Sequence, residues 1–253
     1  MTRELGLVGD GESGGTHTSR TIMLKELTAL LGSVPDSAAK SGYAEAIVDQ
    51  NILAKKSAST RNRSLRYLKE LYLLDPGTIL FRGLRDLWSA DPAALPLLAL
   101  LCALARDPLL RATSDLISDL AIGSSVEPDT LAAAVTTKYP GSYSTAVAAK
   151  VGRNVASSWG QAGLVSGRYD KVRSQADSRP AAVAYALMLG HLSDARGLGL
   201  FRTPWARVLD RSEHELLEQA SAASQRGWID LRRAGEVVEV SFEWLLRPIE
   251  EPA

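Results

Sequence analysis

The sequence predicts a mainly α-helical protein that contains a winged helix-turn-helix module and a small C-terminal β-hairpin. Three observations support this fold class. Apolar residues recur every three or four positions over most of the chain, as they do on the buried face of a helix. An acidic residue followed by proline, which suits the first turn of a helix, occurs at Asp91-Pro92, Asp107-Pro108 and Glu127-Pro128. The alternation of strands and helices that predicts a parallel sheet is not visible.

The first half of the chain predicts a flexible tail followed by successive helices. Residues 1–19 are rich in glycine, serine and threonine, and we expect them to be flexible. Helices are expected to begin at Thr21, after Pro35 with Asp36 or Ser37 as the cap, and near Ser59 or Thr60. Further helices are expected at roughly 77–89, 92–106, 108–121 and 128–138.

Residues 144–162 carry the clearest helical pattern. Val147, Val151, Val155 and Trp159 step by four and predict one apolar stripe, with Lys150 and Arg153 on the opposite side. Residues 164–173 then predict a short β-ribbon. Three helices followed by a basic ribbon are the plan of a winged helix-turn-helix, whose third helix enters the major groove of DNA. The same pattern also fits a helix docked on a core with solvated lysines and arginines, and that alternative stays open.

The C-terminal part predicts three more helices and one hairpin. Helices are expected near 180–192, 204–209 and 213–225, and the alternation of apolar residues over 227–242 predicts a hairpin that turns at Ala234-Gly235. The predicted organisation is a tail (1–19), an N-terminal helical domain (20–106), a winged-helix-like module (107–176) and C-terminal helices with a β-hairpin (177–253).

Composition limits the partners and the compartment. The 253 residues include 29 Lys+Arg and 29 Asp+Glu, so the net charge itself indicates no partner. Cys102 is the single cysteine, which excludes a disulfide within the chain and fits a reducing cytoplasm. The N-terminus lacks the apolar region of a signal peptide. The longest apolar run, 93–105, is shorter than the ~20 residues that span a bilayer, so we expect a cytoplasmic protein without a membrane partner.

Two short glycine motifs match enzyme patterns without the context that those patterns need. Residues 9–14 match the dinucleotide-binding pattern G-x-G-x-x-G, and residues 11–15 match the hydrolase pattern G-x-S-x-G. Both patterns work only beside strands that are not predicted here. His17, His191 and His214 lie in no supporting pattern. We therefore expect a protein that is not an enzyme and has no catalytic residue, no metal and no cofactor.

Two basic segments are candidate nucleic-acid contacts. Between Lys55 and Lys69 the chain has six basic residues and no acidic one, and basic residues in a first helical turn oppose the helix dipole. The second segment comprises the start of the 144–162 helix and the ribbon, where hydroxyls and cations suit phosphate oxygens. The candidate residues are Lys55, Lys56, Ser57, Thr60, Arg61, Arg63, Arg66, Ser142, Tyr143, Ser144, Thr145, Lys150, Arg153, Arg168, Lys171 and Arg173. A solvated basic surface matched to the acidic C-terminal third explains the first segment equally well.

The first basic segment also resembles a known family. Residues 46–57, AIVDQNILAKKS, followed by STRNR at 59–63, resemble the BrxA family of BREX phage-defence systems. The likeness continues through Arg66-Tyr67-Leu68, the Leu-rich helices up to Ile117, and the long helix that ends in WGQAGL at 159–164. It covers roughly residues 18–167, and the C-terminal hairpin is only loosely similar.

The resemblance implies a small, non-enzymatic, helical DNA-binding protein that is similar in part to an RNA-binding antitermination factor. Carried over by position, the stretches 51–66 and 142–153 are its expected contacts. We expect duplex DNA as the main partner, other BREX proteins as further partners, and no particular oligomeric state. Two alternatives stay open: a protein-interaction scaffold within the defence complex, and an RNA-binding module.

Overall fold

The structure is a computed structural model that describes residues 7–9, 14–235 and 237–248. It is mainly helical, as the sequence predicts, with 58% of the chain in helices. The α-helices are α1 (Leu24–Ser33), α2 (Lys40–Val48), α3 (Ala58–Tyr72), α4 (Ile79–Ala90), α5 (Leu95–Arg106), α6 (Pro108–Arg111), α7 (Ser114–Asp119), α8 (Pro128–Lys138), α9 (Thr145–Gln161), α10 (Pro180–Leu192), α11 (Pro204–Arg207) and α12 (Glu213–Gln225). Short 3-10 helices cover Thr16–Thr18, Pro92–Ala94 and Gly197–Arg202, and the strands are β1 (Val165–Ser166), β2 (Val172–Arg173), β3 (Asp230–Ala234) and β4 (Val237–Ser241).

Helices α5 and α10 form the centre of the core. Both sequences are apolar on every face, so the helices are stable only when neighbours surround them. Every residue from 97 to 105 and from 181 to 189 is buried. The hydroxyl of Tyr185 donates to the Leu80 carbonyl oxygen at 2.8 Å, which ties α10 to α4. The buried apolar residues form one continuous cluster that draws on the N-terminal, central and C-terminal parts of the described chain. The proposed division into domains stays a prediction.

The acidic-proline pairs open helices as predicted. Proline stands in the first turn after Asp91, Asp107 and Glu127, and the Asp107 side chain accepts from the backbone N–H groups of Leu109 and Leu110. The prediction of one helix over 108–121 is wrong, because the chain breaks between α6 and α7. The Thr113 hydroxyl donates to the Leu110 carbonyl and accepts from the Trp159 indole at 2.9 Å, which fixes this break against α9.

Helices α8 and α9 approach each other closely. A methyl group added at Gly152 of α9 would lie 2.1 Å from the Pro128 carbonyl oxygen, so the close approach requires glycine. Val151, Val155 and Trp159 are fully buried as predicted, whereas Val147 at the outer end of α9 is 37% exposed.

The two small sheets are antiparallel hairpins. In the first, β1 pairs with β2, and Ser125 forms an isolated bridge to Val172 on the other side of β2. In the second, β3 pairs with β4 over the predicted 227–242 region, and Gly235 turns with φ 61° where the sequence places the turn. Val238 and Val240 face the core.

The flexible tail predicted for 1–19 is wrong for the described residues of that range. Thr16 and His17 are buried, and the Val8 N–H donates to the Ala105 carbonyl oxygen at 3.0 Å. Sequence reasoning missed this packing because the anchoring partners lie far away in the chain. Residues 1–6 and 10–13, which include the middle of both glycine motifs, lie outside the described residues.

Several predicted helix starts are displaced. Helix α1 begins at Leu24 instead of Thr21, because Met23 takes the left-handed conformation with φ 51°. The cap of α2 is Ala39 instead of Asp36 or Ser37, and the Asp36 carboxylate pairs with Arg85 at 2.8 Å. The cap of α3 is Ser57, whereas the sequence predicts Ser59 or Thr60, two and three residues later.

In the part of the chain that the structure describes, no single helix has both the length and the apolar composition to cross a membrane. One pair, Pro92–Arg106 with Pro108–Asp119, meets both criteria together but is bent by 103°.

Candidate nucleic-acid interface

The first half of α9 presents two cations to solvent. Lys150 and Arg153 are exposed three residues apart, so they lie on one face of the helix. Among the described residues, neither has a hydrogen-bond or ion-pair partner. The second half of α9 faces inward, because Gln161 accepts from the Leu24 N–H at 3.1 Å and donates to the Thr21 hydroxyl. The part of α9 that is open to a binding partner is therefore its N-terminal half.

The α9 N-terminus is capped by its own sequence. The Ser144 hydroxyl accepts from the Val147 N–H at 3.4 Å, while Ser142 and Thr145 are exposed. The first-turn N–H groups and the helix dipole give this end a partial positive charge that favours an anion. Ser142, Ser144 and Thr145 are thus accessible at this end of α9, and their role as contacts stays a prediction.

Tyr143 does not fit its predicted role as a contact. Its hydroxyl oxygen is buried and has no hydrogen-bond partner among the described residues. Burial raises the pKa of Tyr143, and the negative charge of Asp107 raises it further. The ring packs on the core, so the side chain turns away from the surface that the sequence assigned to it.

Arg173 is wrong as a nucleic-acid contact, because it is 2% exposed. Its guanidinium donates to the carbonyl oxygens of Ile117 at 2.8 Å, Leu164 at 3.2 Å and Ser174. It also lies 3.1 Å from the Asp210 carboxylate in an ion pair that is not aligned as a hydrogen bond. Its role is to fasten the base of the ribbon to α7 and to the C-terminal region.

The turn between β1 and β2 keeps the other predicted ribbon cations at the surface. Arg168 is exposed and Lys171 is half-buried. Between them stands Tyr169, which is 82% exposed and has the Arg168 guanidinium 5.2 Å from its ring centre. Tyr169 is not among the contacts predicted from the sequence, although an aromatic residue between two cations in a predicted ribbon is a usable signal.

Fewer cations of the basic segment from Lys55 to Lys69 are available to a partner than its charge count indicates. Lys55 pairs with Glu26 at 2.9 Å, Arg66 lies 3.6 Å from Glu70, and Arg61 is half-buried. Lys56 and Arg63 are exposed and have no partner within the described chain. Of the six cations between Lys55 and Lys69, these two are both exposed and unpaired within the described chain, which makes them the most accessible to a phosphate.

The hydroxyls predicted as contacts in this segment serve local structure. The Ser57 hydroxyl accepts from the Thr60 N–H at 3.2 Å and lies 2.9 Å from the Thr60 hydroxyl. Just before it, Asn51 takes a left-handed φ of 53°, and its side chain accepts from the Lys55 N–H at 2.8 Å. The residues that carry the family resemblance therefore form a tight loop and a helix cap.

The segment 14–24 lies between α3 and α9. On one side the Thr16 hydroxyl donates to Glu70 at 2.8 Å, and Arg20 lies 5.2 Å above the Tyr67 ring. On the other side the Asn154 amide donates to the His17 carbonyl at 2.8 Å. Segment 14–24 thus links α3 to α9 through contacts on both of its sides.

A buried Ser-His-Asp cluster anchors this segment. The His17 Nδ1 atom lies 2.8 Å from Asp107 Oδ2, and Nε2 lies 2.8 Å from the Ser158 hydroxyl oxygen. Burial alone would raise the pKa of Asp107, but the His17 ring and the N–H groups of Leu110 and His17 outweigh it, so the pKa lies below its ordinary value. No local sequence pattern indicates this cluster, because Asp107 and Ser158 stand 90 and 141 residues from His17.

The cluster resembles the triad of serine hydrolases in its pairing, but its surroundings differ. The Ser158 hydroxyl also accepts from the Ile22 N–H at 3.0 Å and lies 2.9 Å from the Asn154 carbonyl oxygen. Ser158 and His17 are both 0% exposed. A hydroxyl with three partners and no approach path for a carbonyl carbon holds the segment in place instead of attacking a substrate.

Metal ligation has no visible support in the described part of the chain, where no group of three or more His, Cys, Asp or Glu side chains converges. Cys102 is fully buried, and burial raises its pKa to about 11. It therefore packs as a small apolar residue.

No known family model matches the chain, and no curated protein matches its sequence.

Proposed function

We propose that the protein binds duplex DNA without catalysing a reaction, through the first half of α9, the ribbon cations Arg168 and Lys171, and the exposed cations Lys56 and Arg63. The observation that carries the proposal is the pair Lys150 and Arg153, which are exposed, unpaired within the described chain, and on one face of a capped helix. The sequence has no acidic residue between Asp129 and Asp170, so nothing within that stretch cancels their field.

The order of elements supports this reading. Helix α7, the bridge at Ser125, helix α8, a turn, helix α9 and the β1–β2 ribbon follow one another as in a winged helix-turn-helix. In that arrangement the third helix enters the major groove and the ribbon lies beside it. The exposed start of α9 and the exposed turn at Arg168 fit these two positions.

Duplex DNA is favoured over duplex RNA by groove dimensions. The major groove of B-form DNA is about 12 Å wide and admits a helix, whereas that of A-form RNA is too narrow and deep. An α9-centred interface therefore fits DNA. The resemblance of residues 18–167 to the BrxA family extends the proposal to a role within a BREX-type phage-defence system, in which other defence proteins would be further partners.

The test is binding of the purified chain to a labelled DNA duplex across a salt series, with duplex RNA as competitor. We expect the logarithm of the association constant to fall steeply with that of the salt concentration, and a slope near −5 would correspond to ~6 phosphate contacts. RNA should compete poorly. Absence of binding at low salt would refute the proposal, and equal competition by RNA would refute the choice of DNA.

A further inference from the structure

The Tyr169 ring is the most exposed large apolar side chain of the described residues, at 82%. Ile122, Val147 and Val237 are the others, and each is less exposed and not aromatic. Apart from the Arg168 guanidinium over one face, the ring gains little of the stabilisation that burial or stacking on another ring would give. Its position is therefore explained best by a partner that covers it.

The turn that carries Tyr169 is firmly supported. Gly167 has φ 90°, and a methyl group there would lie 2.0 Å from the Asp170 carbonyl oxygen, so the tight turn requires glycine. Strand β2 is hydrogen-bonded on its far side as well, through Gly123 to Arg173 and Val126 to Lys171, each at 2.8 Å. With the buried Arg173 below, the turn holds the ring out from the surface in a fixed place.

The charges around the ring fit a nucleic acid. The Arg168 guanidinium lies over the ring, Lys171 Nζ lies 3.5 Å from the Gly167 carbonyl oxygen, and Asp170 supplies the single carboxylate of the turn. An aromatic ring with cations beside it is the arrangement that stacks on a base while the cations meet its phosphates. Tyrosine and arginine are also common in protein interfaces, but here they continue the uniformly basic stretch that contains α9.

We propose that Tyr169 stacks on a base at the point where a DNA duplex opens into single strands, so that the preferred ligand is a duplex-to-single-strand junction. A closed duplex shows base edges in its grooves and hides base faces in the stack. The Tyr169 ring can stack only on the open face of a base, and the terminal base pair at a junction offers such a face. The inference rests on the proposed function, since α9 and the ribbon cations would hold the paired arm.

The test compares two labelled substrates that share the same paired region. One is a fork with unpaired arms at one end and a tight hairpin loop at the other, and the second is closed at both ends by that same loop, whose bases stack on the terminal pairs and cover them. We expect the fork to bind roughly tenfold more tightly, as stacking of one base allows. Tyr169→Ala should lose that preference and keep the affinity for the closed duplex, whereas Tyr169→Phe should retain both. A fluorescent purine analogue at the junction should be quenched by the wild type and not by Tyr169→Ala.

The outcomes separate the two proposals. Equal binding of fork and closed duplex by the wild type, or a preference that survives in Tyr169→Ala, would overturn the junction inference and leave duplex binding intact; a protein partner would then be the better explanation of the exposed ring. No binding to either substrate at low salt would overturn the proposed function itself. Tyr169 is exposed, so the alanine variant should fold, and its thermal midpoint provides the check.

Discussion

The Nδ1 atom of His17 lies 2.8 Å from the Oδ2 atom of Asp107, and both side chains are buried. This contact joins the N-terminal segment to the start of α6, and the Ser158 hydroxyl on the other side of the imidazole joins it to α9. One histidine thereby sets the position of the segment that separates the two basic helices. The relative position of α3 and α9 in the candidate interface therefore depends on this buried cluster.

Replacing His17 should destabilise the fold. His17→Ala leaves the Asp107 carboxylate buried without its main partner, and breaking a buried pair in this way costs about 3–5 kcal/mol. Urea unfolding of wild type and variant measures the loss. His214→Ala is the matched control, because that side chain is 80% exposed and its removal should change stability by less than about 0.5 kcal/mol. Similar effects of the two variants would contradict the anchoring role of the buried Ser-His-Asp cluster.

The Asp107 interaction should depend on pH in a defined direction. Its pKa is lower in the folded state than in the unfolded chain, so its contribution is complete above the unfolded value of about 3.9 and is lost as the pH falls through the lower folded value. The difference in unfolding free energy between wild type and Asp107→Asn should therefore shrink below about pH 4. Unfolding curves between about pH 7 and pH 3 measure it. If the difference in unfolding free energy stays constant over this pH range, the folded state does not favour the charged form of Asp107.

Substitutions at Arg173 and Arg168 should have different effects, the first on the stability of the fold and the second on DNA binding. Arg173→Ala removes a buried cation that holds three carbonyl oxygens and should cost about 3 kcal/mol or more. Arg168→Ala should leave stability within about 0.5 kcal/mol of wild type and weaken DNA binding. Thermal unfolding and a binding titration on both variants provide the comparison. Equal loss of stability would contradict the assignment of Arg173 to the ribbon base.

Gly152 should tolerate no side chain. An alanine methyl would meet the Pro128 carbonyl oxygen at 2.1 Å and push α8 away from α9, at a cost of about 1–3 kcal/mol. Gly32→Ala is the control, since a methyl group at that helical glycine meets nothing within 4 Å and should stabilise slightly. Thermal midpoints of the two variants should move in opposite directions. A neutral Gly152→Ala would show that the helices are not closely packed.

Features encoded by neighbouring residues are the ones that the sequence predicts well. The mainly helical class, the acidic-proline helix starts, the burial of Val151, Val155 and Trp159 on α9 and the C-terminal hairpin depend on spacing and turn chemistry, and the structure confirms them. The exposure of Lys150 and Arg153 is also predicted correctly, because helical periodicity alone separates them from the stripe.

Features that depend on distant partners were missed or wrong. Nothing around Arg173 in the sequence shows that three carbonyl oxygens and Asp210 surround it, so it was assigned to the surface. Likewise, the polar composition near His17 predicts flexibility, while its burial follows from Asp107 and Ser158. A local pattern specifies which side of an element is apolar, but only the fold specifies which polar side chains it encloses.

Salt-dependent DNA binding by Lys150→Ala/Arg153→Ala tests the central proposal most directly. The matched control is Lys40→Ala/Arg232→Ala, which removes the same charge from positions 61% and 74% exposed outside the candidate interface. We expect the first variant to bind duplex DNA at least roughly tenfold more weakly at low salt, with a salt slope less steep by about 2. The control should match the wild type. Unchanged affinity and slope in Lys150→Ala/Arg153→Ala, or an equal loss in the control, would contradict the assignment of α9 as the DNA-binding helix.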